Sequence, residues 1–124
     1  MINFDKFLRL LEENPLISQI SDIFVDELVE RSIYRIRCTL TPRIFNLSIK
    51  IIRIESDIVY SYQLFSDKPL IRWDNAPHYP DILSFPHHFH TESNKVIKSK
   101  LTGRIEKDIV VVLADIKKYI NKNI

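Results

Sequence analysis

Four histidines, all that the chain has, fall within RWDNAPHYPDILSFPHHFH, residues 72–90, together with the single tryptophan and three of the six prolines. Imidazole titrates near neutrality, so histidine serves there as proton donor, proton acceptor or metal ligand. Metal-independent cleavage of RNA needs a base for the 2′-hydroxyl, an acid for the leaving oxygen and a cation for the charge that builds on phosphate. His78 supplies one of the pair and His87, His88 or His90 the other, provided the segment folds back on itself. Arg72 offers the planar fork that fits phosphate, and Asp74 can orient an imidazole through its second nitrogen.

Two other chemistries compete. His88 and His90 project to the same side of an extended segment, and with His78 or Asp74 they would form a three-ligand zinc set with an open position. No acidic residue stands beside either of them in the sequence, so a metal set is the second reading and neither metal nor cofactor is expected. The third reading is a docking surface for another protein, without chemistry of its own. Any one of these histidines, taken alone, is better explained as a packed, hydrogen-bonded loop residue. The gathering of four with Arg72 and Asp74 is what argues for function.

Pro77, Pro80 and Pro86 bias the residues before them to extended conformations and remove backbone donors, which speaks against a helix or a central strand here. Trp73, Tyr79, Phe85 and Phe89 give the segment enough apolar surface to be anchored. A rigid loop needs a scaffold. Residues 2–13 read as an amphipathic helix through Phe4, Phe7, Leu8 and Leu11, ended by Asn14-Pro15. Residues 16–30 are ambiguous, with a strand favoured over Ile23 to Leu28. Ile33 to Leu40, Ile44 to Glu55, Ile58 to Phe65 and Leu70 to Asp74 read as strands, joined by TPR, SD and SDKP. Such short connections predict an antiparallel meander.

Alternation places Arg35 and Arg37 on one face of that sheet, as an RNA-contacting surface. Tyr60 and Tyr62 lie either beside them or in the core, and Tyr60, Tyr62 or Trp73 would stack on bases. NKVIKSK, 94–100, reads as a basic connection, and a long helix follows from about 103 to 122. Its stripe is Ile105, Ile109, Val112, Leu113, Ile116 and Ile120, with Thr102 as the expected cap. Lys117, Lys118 and Lys122 suit its C-terminal end or an RNA contact. The expected fold is α+β: an antiparallel β-meander with an N-terminal helix and a long C-terminal helix packed on one face.

The 124 residues, 45% hydrophobic and 27% charged, suit one globular domain over 1–124 rather than a disordered chain. The longest apolar run, IVVVLA, is far too short to cross a bilayer. MINFDKFLRLL, interrupted by Asp5 and Arg9, does not read as a secretory signal. Cys38 is the only cysteine, which excludes a disulfide framework and a cysteine zinc site. A soluble cytoplasmic protein is expected, without membrane association. Residues 1–30 hold seven carboxylates against Lys6 and Arg9, so the net charge of +2 conceals a basic body. A basic body favours a polyanionic partner, most simply RNA.

The segment also resembles the signature of the TumE-like toxin family, toxins of type II toxin–antitoxin pairs. Arg72, Trp73, Asp74, Asn75, Ala76, Pro77, His78 and Pro80 match, as do Phe85, Pro86, His87, His88 and His90. YSYQLF before it and the closing helix fit the family layout, so the likeness extends over most of the chain from about residue 31. Tyr79 stands where the family often has a second histidine and Phe89 where it often has lysine, which leaves Arg72 and Lys95 as the local cations. The resemblance implies a growth-inhibiting toxin with a cognate antitoxin. RNA cleavage is the expectation drawn from the histidines, and open sheet edges make a homodimer plausible.

Overall fold

The computed structural model describes residues 2–124. Helix α1 (Phe4–Glu13) precedes β1 (Ile17–Glu27), β2 (Arg31–Leu40), β3 (Asn46–Ile54), β4 (Asp57–Phe65), β5 (Pro69–Asp74), β6 (His88–His90) and β7 (Val96–Lys98), and α2 (Ile105–Lys122) closes the chain. The seven strands form one sheet in sequence order, each antiparallel to the next. The fold is therefore the expected α+β meander, longer than the sequence implied.

Alternation along β2, β4 and most of β3 gives the sheet two unlike faces, and register carries them onto β5. Register aligns Ile36, Ile49, Tyr62, Trp73 and Phe89 across five strands. This row joins Phe7 and Leu11 of α1 and the apolar stripe of α2 in a single core. Both helices cover that face. Ile49 and Ile116 are buried completely or nearly so, and cutting either to alanine should cost about 2–5 kcal/mol. The Asn3 side chain caps α1 by accepting from the Lys6 N–H, and the chain turns extended at Asn14 ahead of Pro15.

Three expectations need correcting. Residues 16–30 are mostly strand, because β1 pairs with β2 along its length, and its two register irregularities scramble the period-two pattern. The end of the histidine segment is itself an internal strand, flanked by β5 and β7. All three prolines lie before His88, so residues 88–90 keep their backbone donors, and part of the lysine-rich connection becomes β7. Helix α2 begins at Ile105, and the Thr102 side chain does not cap it in the usual way. Instead the buried Asp108 carboxylate reaches back to accept from Thr102 N–H, Thr102 Oγ–H and Gly103 N–H. Gly103 has φ of +90°, a conformation that favours glycine.

Candidate functional site

The face of the sheet away from the helices carries the polar rows. Arg35, Lys50, Ser61, Asp74 and His88 align across five strands, and Arg37, Ser48, Gln63, Arg72 and His90 form the row beside them. Pairing of β5 with β6 thus sets Asp74 opposite His88 and Arg72 opposite His90, although each pair is far apart in sequence. Asn75 holds the start of the intervening loop by accepting from Tyr60 N–H and donating to Ile58 O.

Asp74 is the hub of the cluster. Its Oδ1 meets His88 Nε2 at 2.8 Å and accepts from Ala76 N–H at 3.1 Å. Its Oδ2 accepts from Arg72 Nε at 2.8 Å. His88 is buried at 2% exposure, and its Nδ1 donates to the Pro86 carbonyl at 3.1 Å. Both nitrogens of that ring are therefore committed to protein acceptors, which suits it to hold Asp74 rather than to exchange protons with a ligand.

His90 is differently placed. Arg72 Nη2 lies 3.0 Å from His90 Nε2, and because guanidinium only donates, Nε2 accepts and the ring carries its proton on Nδ1. Burial lowers the His90 pKa below 6.5, the Arg72 charge adds to this, and the Asp74 charge opposes it. His90 is thus a neutral base near pH 7, with its lone pair held by a donor that a phosphate would attract. The Nε2 also lies 3.3 Å from Asp74 Oδ2.

These groups open onto a cavity of about 350 Å³. Ile52 and Val59 give it an apolar wall, Lys50 and Ser61 a polar one, and the loop contributes Ala76, His78 and Tyr79. The Tyr79 ring meets His88 and His90 edge-on, at centroid distances of 4.8 and 6.0 Å. His78 is an exposed residue on the same cavity. The sequence offered Tyr79 only as an apolar anchor of the loop, and Lys50 and Ser61 not at all. The signal for Lys50 and Ser61 lay in the register, which sets them in the row of Asp74.

His87 belongs to the other face. Its Nδ1 hydrogen-bonds with Tyr60 Oη at 2.7 Å. Burial raises the Tyr60 pKa, so the phenol keeps its proton. Burial also lowers the His87 pKa, the Asp108 charge opposes this, and the His88 charge adds to it. The structure therefore brings His78, His88, His90, Arg72 and Asp74 together and leaves His87 out.

Stacking on Tyr60, Tyr62 or Trp73 is not available either. Their rings are 2%, 0% and 3% exposed, because each shares the inward row of its strand, and Trp73 packs on Phe89 at 5.0 Å. Arg35 and Arg37 are exposed on the open face, over the rings of Phe24 and Phe65. Lys95 lies in the β6–β7 turn. Among the described residues, Asp74, His88 and His90 form a group able to hold a metal ion, with ligand atoms all within 4.8 Å of one another. Asp74 was one of the two third ligands that the sequence offered, and the pairing of β5 with β6 brings it, rather than His78, to the two histidines. No helix among the described residues is long and apolar enough to cross a membrane.

Against known proteins, the family described as Toxin TumE matches the chain over residues 7–120. No curated protein and no solved structure matches it.

Proposed function

We propose that this chain, which belongs to the Toxin TumE family, is the toxin of a toxin–antitoxin pair and cleaves RNA without a metal in the cavity beside Asp74. The observation that carries the reading is the hydrogen bond from Arg72 to the lone pair of His90. A backbone phosphate draws the guanidinium away from the imidazole. His90 Nε2 is then free to take the 2′-hydroxyl proton as the O2′–P bond forms. His78, on the same cavity, gives a proton to the 5′-oxygen as the P–O5′ bond breaks. Arg72 stabilises the charge on the equatorial oxygens. Asp74 and His88 position Arg72 and take no part in proton exchange. The products are a 2′,3′-cyclic phosphate and a 5′-hydroxyl. Arg35, Arg37 and Lys50 extend positive charge over the same face.

Incubating the purified protein with total cellular RNA in excess chelator, beside a His90→Gln variant, tests this. Cleavage by the wild type alone, leaving cyclic phosphate ends, supports the reading. Equal cleavage by the variant, or none by either, defeats it.

One observation favours a second reading, a metal-dependent hydrolase: the convergence of Asp74, His88 and His90. An ion there would have to displace Arg72, which already lies against both Asp74 Oδ2 and His90 Nε2. Activity that appears only when a divalent metal is restored, with metal bound in stoichiometric amount, would establish this alternative.

A further inference from the structure

We propose that a second depression on the open face, centred on Phe65, is a nucleobase subsite for single-stranded RNA. The choice of ligand rests on the RNA reading above, but the subsite does not depend on that chemistry.

A separate cavity of about 250 Å³ is formed by Phe65 with Arg37, Ser48, Gln63 and Lys68. It adjoins the first cavity, because Gln63 sits directly opposite Arg72 in the β4–β5 ladder. Adjacent strands are about 4.8 Å apart, so a chain whose phosphate rests on Arg72 needs to advance by only one or two strand spacings to reach the Phe65 ring. The face combines what a single strand requires: an aromatic plane, amide and hydroxyl groups for base edges, and cations for the backbone.

The present occupant of the ring explains how it stays available. Arg37 reaches over Ser48, its partner on β3, to place Cζ 5.2 Å from the Phe65 centroid. A guanidinium over a half-buried surface ring is weakly held, and a base stacking there releases Arg37 to a phosphate. Two carboxylates limit the subsite: Asp67 lies on its rim, and Asp22 opposes Arg37 from β1. The surface is therefore selective for a chain that keeps its phosphates towards Arg37, Lys68 and Arg72. Phe24 with Arg35 supplies an internal control. The pair has nearly the same centroid distance, at 5.0 Å, but sits on the edge strand between Asp22 and Asp26 of the same face, where a polyanion is disfavoured.

The test is fluorescence anisotropy with a short labelled 2′-O-methyl RNA of mixed sequence, which 2′-hydroxyl attack cannot cleave. Phe65→Ala should weaken binding roughly five- to a hundredfold, the range for loss of one base–aromatic stack. Phe65→Leu, which keeps apolar volume without a flat face, should weaken it as well, and Phe65→Trp should retain it. Phe24→Ala should bind as the wild type does. Arg37→Gln should reduce the slope of log affinity against log salt by about 0.7. Thermal unfolding of each variant confirms that the fold persists. Wild-type affinity in both Phe65→Ala and Phe65→Leu, equal losses for Phe24→Ala, or no binding by the wild type would overturn the subsite. A protein that cuts RNA yet binds without regard to Phe65 loses the subsite and keeps the cleavage reading. One that binds through Phe65 and cuts nothing does the reverse.

Discussion

His87 and His88 are neighbours in the chain and stand back to back across the sheet. On the helix side, His87 shares one hydrogen bond with Tyr60, a phenol that burial keeps protonated. On the open side, His88 locks Asp74, which in turn holds Arg72 against His90 beside a cavity. Burial lowers the pKa of both His87 and His90, so a perturbed imidazole does not by itself mark the chemistry. The difference is what holds the ring. Tyr60 holds His87 from a core-facing side chain, whereas Arg72, which holds His90, is half-exposed and on the proposed reading has a phosphate to move to.

The largest effect expected from this contrast is on rate. His90→Gln should lower RNA cleavage by about 10²- to 10⁴-fold, the usual worth of a positioned base, while His87→Gln changes it by no more than a few fold. Initial rates on one RNA at saturating concentration make the comparison, and equal losses would erase the distinction between the faces. Next comes stability. Asp74→Ala leaves His88 and Arg72 without their common partner and should cost about 3 kcal/mol. Tyr60→Phe removes one hydrogen bond and should cost about 1 kcal/mol. Urea unfolding of both variants ranks the two clusters, and a costlier Tyr60→Phe would reverse the ranking.

The third effect is on the pH profile. His90 must be unprotonated to act as a base, and its pKa lies below 6.5. Activity should therefore persist below pH 6.5 and fall only as pH passes through the lowered value. Removing the Arg72 charge removes one cause of the lowering. The acid limb of the residual activity of Arg72→Gln should move up, towards 6.5. A limb that stays in place would show that another group limits the rate.

The two faces were not equally legible in the sequence. The covered face could be read from alternation, because β2 and β4 keep a period of two, β3 keeps it as far as Ile51, and α2 keeps a continuous apolar stripe. The irregularities in β1 erase that pattern, and β6 and β7, three residues each, are too short to have one. The chemistry-bearing residues could be named from their types, but not sorted. Nothing in the pair His87-His88 says which ring faces inward until β6 is known to pair with β5. That pairing also brings Asp74 to His88 and His90, and it is set by a loop of thirteen residues whose path only packing determines. Tyr79 could be read as an anchor of the loop but not as a wall of the cavity. It meets His88 and His90 across the folded loop, and no spacing in the sequence encodes that contact.

The smallest effect comes from the covered side and concerns stability rather than rate. A histidine whose pKa is lower in the fold than in the unfolded chain stabilises the fold fully above the unfolded value, near 6.5, and loses that contribution as pH falls through the folded value. His87 is of this kind. Tyr60 faces its Nδ1, the Asp108 charge resists the shift and the His88 charge adds to it. His90 titrates with the same sign, so His87→Gln should flatten the decline without abolishing it. Melting temperatures at about pH 7 and about pH 5 measure this, and the drop should be smaller in His87→Gln than in the wild type. An equal drop would mean that protonated His87 is accommodated where it lies, through the Asp108 charge. The covered face would then hold a cation as readily as the open one.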